Sequence, residues 1–174
     1  YARCYQNGVC VAVKDNHVFA VGGEFGVKWH EAGKRLNKPN SWNDFIACSE
    51  YLIAKKFTSP KKLAIQGGSA GGILIGRAVT ERPELFAAAH ISVGSMNMVR
   101  LETQNGGVAN TPEFGSLATQ AGFKSLYQMD VFHHVKKGVN YPAILFTHGV
   151  NDPRVPVWES LKLTARFQAS TSGK

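Results

Sequence analysis

The sequence predicts an α/β fold built on a mostly parallel sheet with helices on both faces. Three short segments, 62–66, 85–93 and 143–148, are largely apolar and are bounded by turn residues, as buried strands are. Helical periodicity fills much of the chain between and after them. Nearly continuous apolar strands that alternate with helices are typical of a parallel sheet that is buried on both faces.

The composition indicates one globular domain and argues against several other classes of protein. Apolar residues make up 44% and charged residues 18% of the 174 residues, which is ordinary for such a domain. The net charge is +8, but the basic residues lie in scattered pairs, so we expect no nucleic-acid partner. No apolar run approaches about 18 residues, so we expect no membrane partner. The three cysteines have no C-x-x-C spacing, which favours neither a disulfide scaffold nor a zinc site and fits a cytoplasmic location: Cys4, Cys10 and Cys48.

The N-terminal part predicts two strands followed by a glycine-rich loop. Segments 8–13 and 17–21 are short and β-prone, with a turn between them. The loop 22–30 contains Glu24 and His30. A catalytic role is one interpretation of this pair, and a structural role is the interpretation that we favour.

A further loop at 37–40 leads into the first predicted helix. Ser41 or Asn43 is the predicted N-cap, and the helix runs to about Phe57. Four side chains recur at three- and four-residue steps and form its predicted buried face: Phe45, Cys48, Tyr51 and Leu52.

The sharpest chemical signal is a glycine-rich turn between the strand at 62–66 and a helix predicted at 70–81. Gly67, Ser69 and Gly71 form the pattern G-x-S-x-G, the nucleophile elbow of α/β-hydrolases. In that turn the serine backbone is strained, and side chains two residues to either side would collide. The run is neither a P-loop nor G-x-G-x-x-G, which argues against phosphate binding. A glycine-rich turn with an uninvolved serine remains the alternative.

The C-terminal half is less regular. Residues 94–122 predict an excursion with one or two short helices, and 125–135 is mixed. The pair His133 and His134 has no third ligand nearby, so we favour a structural interpretation over a metal site. A closing helix is predicted at 157–168, with one face formed by Leu161, Thr164, Ala165 and Gln168.

A second signal is Asp152, which follows the strand at 143–148. Open α/β sheets place their active sites at the carboxyl ends of the strands. Asp152 also comes 83 residues after Ser69, in the order serine and then acid that α/β-hydrolases use. A simple turn-forming role for Asp152 remains the alternative.

Short motifs between Phe19 and Phe167 together resemble one family. They are Gly22-Gly23-Glu24-Phe25-Gly26 with Trp29-His30, Asn43-Asp44-Phe45 with Glu50-Tyr51-Leu52-Ile53, Thr58-Ser59-Pro60-Lys61, Gly67-Gly68-Ser69 with Gly71-Gly72, Arg82-Pro83-Glu84-Leu85-Phe86, Glu113-Phe114-Gly115, and Asn151-Asp152-Pro153-Arg154-Val155 with Ser160-Leu161-Lys162. In this order they resemble the catalytic α/β-hydrolase domain of the prolyl oligopeptidase family of serine peptidases.

The resemblance implies a role for six residues. Ser69 would be the nucleophile, Asp152 the acid that orients the catalytic histidine, and the backbone N–H of Ala70 an oxyanion donor. Arg154 would bind a substrate carbonyl on the acyl side of the cleaved bond. The pocket for the residue before that bond would be lined by Val155 and Phe114.

The sequence also departs from the family pattern. Asn110 stands where the family has the tryptophan of its proline pocket, and Ala70 stands where it has an asparagine. No histidine follows Asp152, although a triad needs a base. We therefore expect 1–174 to be part of a catalytic domain, incomplete at both ends and inactive alone, with the catalytic histidine and an N-terminal β-propeller outside it.

The expected function is hydrolysis of short peptides after proline, by a triad chemistry that needs no cofactor and no metal. Two alternatives stay open. One is an esterase of the same fold, and the other is a non-catalytic α/β-hydrolase-like binding protein. The sequence does not define an oligomeric state.

Overall fold

A single sheet organises the molecule. The computed structural model describes residues 2–4, 10–13 and 26–173. In these ranges the strands follow one another across the sheet in the order β1-β2-β3-β4-β5. They are β1 (Ala2–Cys4), β2 (Cys10–Val13), β3 (Leu63–Gly68), β4 (Ala88–Ser92) and β5 (Ala143–Thr147). β1 pairs antiparallel with β2, and every later pair is parallel, so the predicted mostly parallel sheet is present.

The helices lie in the connections between β2 and β5, and one more follows β5. The α-helices of the described ranges are α1 (Val27–Glu31), α2 (Pro39–Ala54), α3 (Gly71–Glu81), α4 (Thr111–Phe114), α5 (Gln120–Met129), α6 (Val131–His134) and α7 (Trp158–Ser170). Short 3₁₀ helices cover Arg35–Asn37, Pro83–Leu85, Met98–Thr103 and Val108–Asn110. The predicted strand at 17–21 and Glu24 lie outside the described residues.

Helix α3 is the centre of the core, and all of its residues from 71 to 80 are buried. It packs on β3 and β4, where Leu63, Ile65 and Ile91 are at most 1% exposed. Helix α2 covers its outer side, and the Arg77 guanidinium lies 5.2 Å from the ring centroid of Trp42. The segment after Ser69 is therefore fixed on both sides.

The described helices cover one face of the sheet. Register places Gly67, Ile91 and Phe146 side by side on one face, where α3 packs and where Phe167 of α7 meets Phe146 at 6.3 Å between ring centroids. On the opposite face Leu145 is 59% exposed. A helical layer on that second face stays a prediction.

Two predictions for the segment before β3 were wrong. Residues 27–30 were expected in a loop, but they form α1, because Gly26 with φ 88° supplies the turn that leads into the helix. Helix α2 begins at Pro39 rather than after a cap at Ser41 or Asn43, since proline is well suited to the first helical position.

The predicted face of α2 was partly wrong as well. Phe45 is buried, but Cys48 and Tyr51 are exposed. The helix buries a neighbouring stripe instead, composed of Ser41, Trp42, Phe45, Ile46 and Ser49. The cause is α3, whose buried Arg77 packs against Trp42.

The predicted face of α7 was also wrong. Leu161 is 64% exposed, and the buried residues are Glu159, Ser160, Leu163, Phe167 and Ser170. Glu159 is buried because three donors of the excursion satisfy its carboxylate. The N–H groups of Met96 and Asn97 donate to Oε2, and the Gln104 amide donates to Oε1. Burial raises the pKa of Glu159, against the lowering effect of the two N–H groups.

A second buried carboxylate, Asp130, holds the same segment. Its Oδ2 accepts hydrogen bonds from Asn97 Nδ2 at 2.7 Å and from Val99 N at 2.9 Å. Its Oδ1 lies 2.7 Å from His133 Nδ1, and its backbone oxygen lies 2.7 Å from His134 Nδ1. Both histidines therefore have structural partners, as favoured from the sequence.

Replacing Glu159 by alanine should lower the free energy of unfolding by about 2–4 kcal/mol, because two buried N–H groups lose their acceptor. Glu159→Gln should cost less, since its amide oxygen can still accept from Met96 and Asn97. The measurement is chemical denaturation of the complete protein. The control is Leu161→Ala, a neighbouring exposed site that should change stability by at most about 0.5 kcal/mol. Equal losses for the alanine variants would contradict the observed face of α7.

Candidate functional site

The turn after β3 holds Ser69 in a strained conformation. Ser69 has φ 53°, which is uncommon for a residue other than glycine, and its side chain is exposed. Its N–H lies 3.0 Å from the Ser92 carbonyl and 3.1 Å from the Val93 carbonyl. Its own carbonyl accepts from the N–H groups of Gly72 and Ser95, each at 2.9 Å. These bonds over-determine the backbone, as the elbow predicted from the sequence requires.

The glycines of the turn differ in whether a side chain would fit at each position. A Cβ at Gly67 would lie 2.6 Å from Ile75 Cγ1, so the steric reason predicted for this glycine is confirmed. A Cβ at Gly71 would meet no described atom within 4 Å, so the same reason was wrong for Gly71. The close approach occurs one residue later, where a Cβ at Gly72 would lie 2.6 Å from Gly94 Cα.

Ala70 caps the N-terminus of α3, with φ −57° and ψ −23°. Within the ranges that the structure describes, its N–H donates to no carbonyl or side chain. This N–H therefore stays available beside Ser69, at the positive end of the helix dipole. Such a group can stabilise an oxyanion.

Asp152 lies in the loop after β5. Its Oδ1 accepts hydrogen bonds from Arg154 N at 2.9 Å and from Val155 N at 2.8 Å. The N–H groups of Val155 and Arg154 hold the pKa of Asp152 below its usual value, so this carboxylate stays ionised at neutral pH. Both hydrogen bonds use one oxygen, and no described residue donates to Oδ2.

The topology places Ser69 and Asp152 on the side of the sheet where the parallel strands have their carboxyl ends. β3, β4 and β5 run parallel, and Ser69 follows the first of them while Asp152 follows the third. Two strand spacings separate the ends of these strands, roughly 10 Å. A group between the two residues could reach both.

His148 is close in sequence to Asp152, but its ring already has two partners. Nε2 donates to the Val155 carbonyl at 2.8 Å, because a carbonyl can only accept. Nδ1 is 2.7 Å from the buried hydroxyl of Ser160. His148 therefore fixes the loop around Asp152 and has no free nitrogen for a serine.

A cavity of about 250 Å³ opens beside the elbow. Its lining combines the start of α3, the start of α2 and the excursion: Lys38, Ser41, Trp42, Ala70, Gly71, Ile73, Leu74, Asn110, Glu113 and Phe114. Ala70, Asn110 and Phe114 were expected at the substrate site from the sequence, whereas Lys38, Ser41 and Glu113 were not. Lys38 and Glu113 are 75 positions apart, so no local pattern could have joined them.

Glu113 ties the excursion to the segment before α2. Its Oε1 accepts from Lys38 Nζ at 2.9 Å, and its Oε2 accepts from His30 Nε2 at 2.8 Å. Partial burial acts to raise the pKa of Glu113, but Lys38 and His30 outweigh it and hold that pKa below its usual value. Burial lowers the pKa of Lys38, against the effect of Glu113. His30 thus has the structural role that we favoured.

The other proposed binding residues differ in exposure. Phe114 is 8% exposed and lines the cavity, with Lys38 Nζ 5.2 Å from its ring centroid. Arg154 is exposed, whereas Val155 is buried and does not line this cavity.

The described ranges contain no group of three or more His, Cys, Asp or Glu side chains that could hold a metal ion. Their helices are also too short or too polar to cross a membrane.

Known proteins resemble the chain in sequence. It is 37% identical over 161 residues to the prolyl endopeptidase of Dictyostelium discoideum. That alignment covers 89% of this chain and 21% of that protein. It is 39% identical over 147 residues to an uncharacterized peptidase of Sinorhizobium fredii, covering 84% of this chain and 20% of that protein. The chain thus spans about a fifth of the length of the curated relatives that it matches.

Solved structures resemble it as well. One, from a structural and mechanistic analysis of two prolyl endopeptidases, has a TM-score of 0.86 at 42% identity and covers 90% of this chain and 23% of that chain. Prolyl oligopeptidase B from Galerina marginata has a TM-score of 0.83 at 33% identity, covering 88% of this chain and 22% of that chain. These likenesses confirm the predicted α/β-hydrolase fold class. The model of the prolyl oligopeptidase family matches residues 3–174, and the chain belongs to that family.

Proposed function

We propose that this chain carries the nucleophile and the acid of a serine peptidase that hydrolyses short peptides. The observation that supports this most is the exposed Ser69 on a strained elbow, beside an Ala70 N–H that donates to no residue of the described ranges. Relatives named prolyl endopeptidases support peptides as the substrates.

In the proposed reaction, Ser69 Oγ bonds to the scissile carbonyl carbon while a histidine removes the hydroxyl proton. The Ala70 N–H stabilises the resulting oxyanion. The C–N bond then breaks, and the histidine gives the proton to the leaving amine. Water hydrolyses the acyl-enzyme by the same steps.

The base of this triad is proposed to lie outside residues 1–174. The histidines at the described positions have other partners: His30 pairs with Glu113, His90 with Thr147, His133 and His134 with Asp130, and His148 with Ser160 and Val155. Asp152 would orient the incoming histidine through Oδ2, the oxygen that its loop leaves unused.

The substrate contacts are proposals too. The exposed Arg154 would bind a carbonyl on the acyl side, as its match to the family motif implies. Phe114, which lines the cavity beside the elbow, would contact the side chain before the cleaved bond. The same role for Val155 stays a prediction, since Val155 is buried and does not line that cavity. Cleavage after proline is supported by the names of the relatives.

Ser69→Ala in the complete protein should abolish labelling by a fluorophosphonate probe and lower peptide turnover by about a millionfold, because the reacting oxygen is removed. Labelling is read by intact mass. The control is Ser95→Ala, whose backbone N–H contacts Ser69 but whose side chain is not the proposed nucleophile. Labelling that survives in Ser69→Ala would reject the proposal.

Two substitutions at Asp152 separate a catalytic role from a turn-forming one. Asp152→Asn retains an oxygen for the N–H groups of Arg154 and Val155, so the loop should persist. Its kcat should nevertheless fall by about 10⁴, since an amide cannot hold the histidine in the required tautomer. Asp152→Ala should lose the loop contacts as well. An active Asp152→Asn with an inactive Asp152→Ala would indicate that Asp152 only forms the turn.

Asn110→Trp should raise kcat/KM for a prolyl anilide several-fold relative to an alanyl anilide, because an indole can stack on a proline ring. Val108→Trp, at an exposed neighbouring position, is the control and should leave the ratio unchanged. An unchanged ratio in both would place the proline contact elsewhere. Turnover of short acyl esters without any anilide turnover would favour the esterase alternative.

A further inference from the structure

Arg77 places a charged side chain inside the core. The residue belongs to α3 and is 4% exposed. Its Nη1 donates to the Thr80 hydroxyl at 2.8 Å, and its Nη2 pairs with the Glu81 carboxylate. Its Nε has no hydrogen-bond partner in the part of the chain that the structure describes. Burial lowers the pKa of Arg77, against the effect of Glu81, but a guanidinium stays charged at neutral pH.

The guanidinium lies against the indole of Trp42. Its carbon is 5.2 Å from the centroid of that ring, within the range of a cation–π contact. A buried charge is costly, and well-packed apolar residues often stabilise a core at least as well as a buried ion pair. The contact is therefore better explained by the orientation that it gives to the indole than by a gain in stability.

The position of Trp42 relates this contact to the proposed reaction. Trp42 lines the 250 Å³ cavity beside the elbow together with Ala70 and Phe114, whereas Arg77 does not line it. The guanidinium therefore meets the indole from behind the cavity wall. Because this cavity is the proposed site of the residue before the cleaved bond, the inference rests on the proposed function.

An indole that is free to rotate must be ordered when a substrate binds against it, and that ordering reduces affinity. The contacts with Thr80 and Glu81 fix the guanidinium on α3, and the guanidinium in turn fixes the indole. An aromatic wall that is ordered in advance favours a rigid ring such as that of proline.

We propose that Arg77 is a positioning residue that holds the Trp42 indole in the cavity wall, against the proline ring before the cleaved bond. Arg77 itself does not contact the substrate, and the chemical step at Ser69 is unchanged. Loss of the guanidinium therefore weakens the binding of prolyl substrates. Alanyl substrates have no ring to contact the indole, so they are affected much less.

The test measures kcat and KM for a prolyl and an alanyl anilide on the complete protein. Arg77→Leu should lower the prolyl-to-alanyl ratio of kcat/KM about fivefold, mainly through KM, because the indole must now be ordered on binding. Arg77→Lys keeps a cation without the planar fork and should lower the ratio less. The control is Lys55→Leu, which removes a cation 5.7 Å from the Tyr51 ring centroid, away from the cavity, and should leave the ratio unchanged.

A double-mutant cycle tests whether the effect passes through Trp42. In a Trp42→Leu background, Arg77→Leu should no longer change the ratio, since the ring on which it acts is absent. A merely structural role would lower the turnover of both anilides alike and would persist in that background. Should Arg77→Leu fail to fold, the same cycle with Arg77→Lys decides the question.

The outcomes separate this inference from the proposed function. Absence of both peptide turnover and fluorophosphonate labelling at Ser69 in the unsubstituted protein would overturn both. Labelling of Ser69 without turnover of the prolyl anilide would overturn the inference alone. So would a ratio that neither Arg77→Leu nor Arg77→Lys changes, an equal loss for both anilides, or a change in the ratio that persists without Trp42.

Discussion

The positive φ of Ser69 is the constraint on which the rest of the site depends. A strained backbone of this kind costs roughly 1–3 kcal/mol and persists only where its surroundings fix it. Here the neighbouring strand provides the fixation, because Ser69 N donates to the carbonyls of Ser92 and Val93. Val93 is itself strained, with φ 49°, and its N–H donates to the Thr147 carbonyl at 2.8 Å. The conformation of the turn therefore depends on three strands rather than on its own glycines alone.

Helix α7 connects this turn to the Asp152 loop. Its Glu159 accepts from Met96 N and Asn97 N, one and two residues beyond the Ser95 N–H that binds the Ser69 carbonyl. The next residue of the helix, Ser160, meets His148 at the start of the loop around Asp152. A buried carboxylate without a cation is costly unless hydrogen bonds satisfy it. In this fold that carboxylate fixes the geometry between two parts of the site.

The structure could be predicted from the sequence where local steric contacts determine it. The elbow, α3 and the strands around them follow from close packing at Gly67 and from apolar runs. Prediction from the sequence failed where the interacting residues lie far apart in the chain. The face of α7 depends on donors about 60 positions before Glu159, and an acidic residue is ordinarily assigned to the exposed side. The cavity wall depends in the same way on the pairing of Lys38 with Glu113.

The two roles predicted for Asp152 from the sequence, forming the turn and orienting a histidine, are compatible. Turn formation uses Oδ1, and histidine orientation would use Oδ2, so one carboxylate can serve both purposes. The loop is complete without the histidine, because the Arg154 and Val155 N–H groups and the His148 ring already determine it. In the proposed reaction, the histidine would therefore meet an acid that is already positioned. Little reorganisation would then accompany each proton transfer, and preorganisation of this kind lowers a barrier effectively.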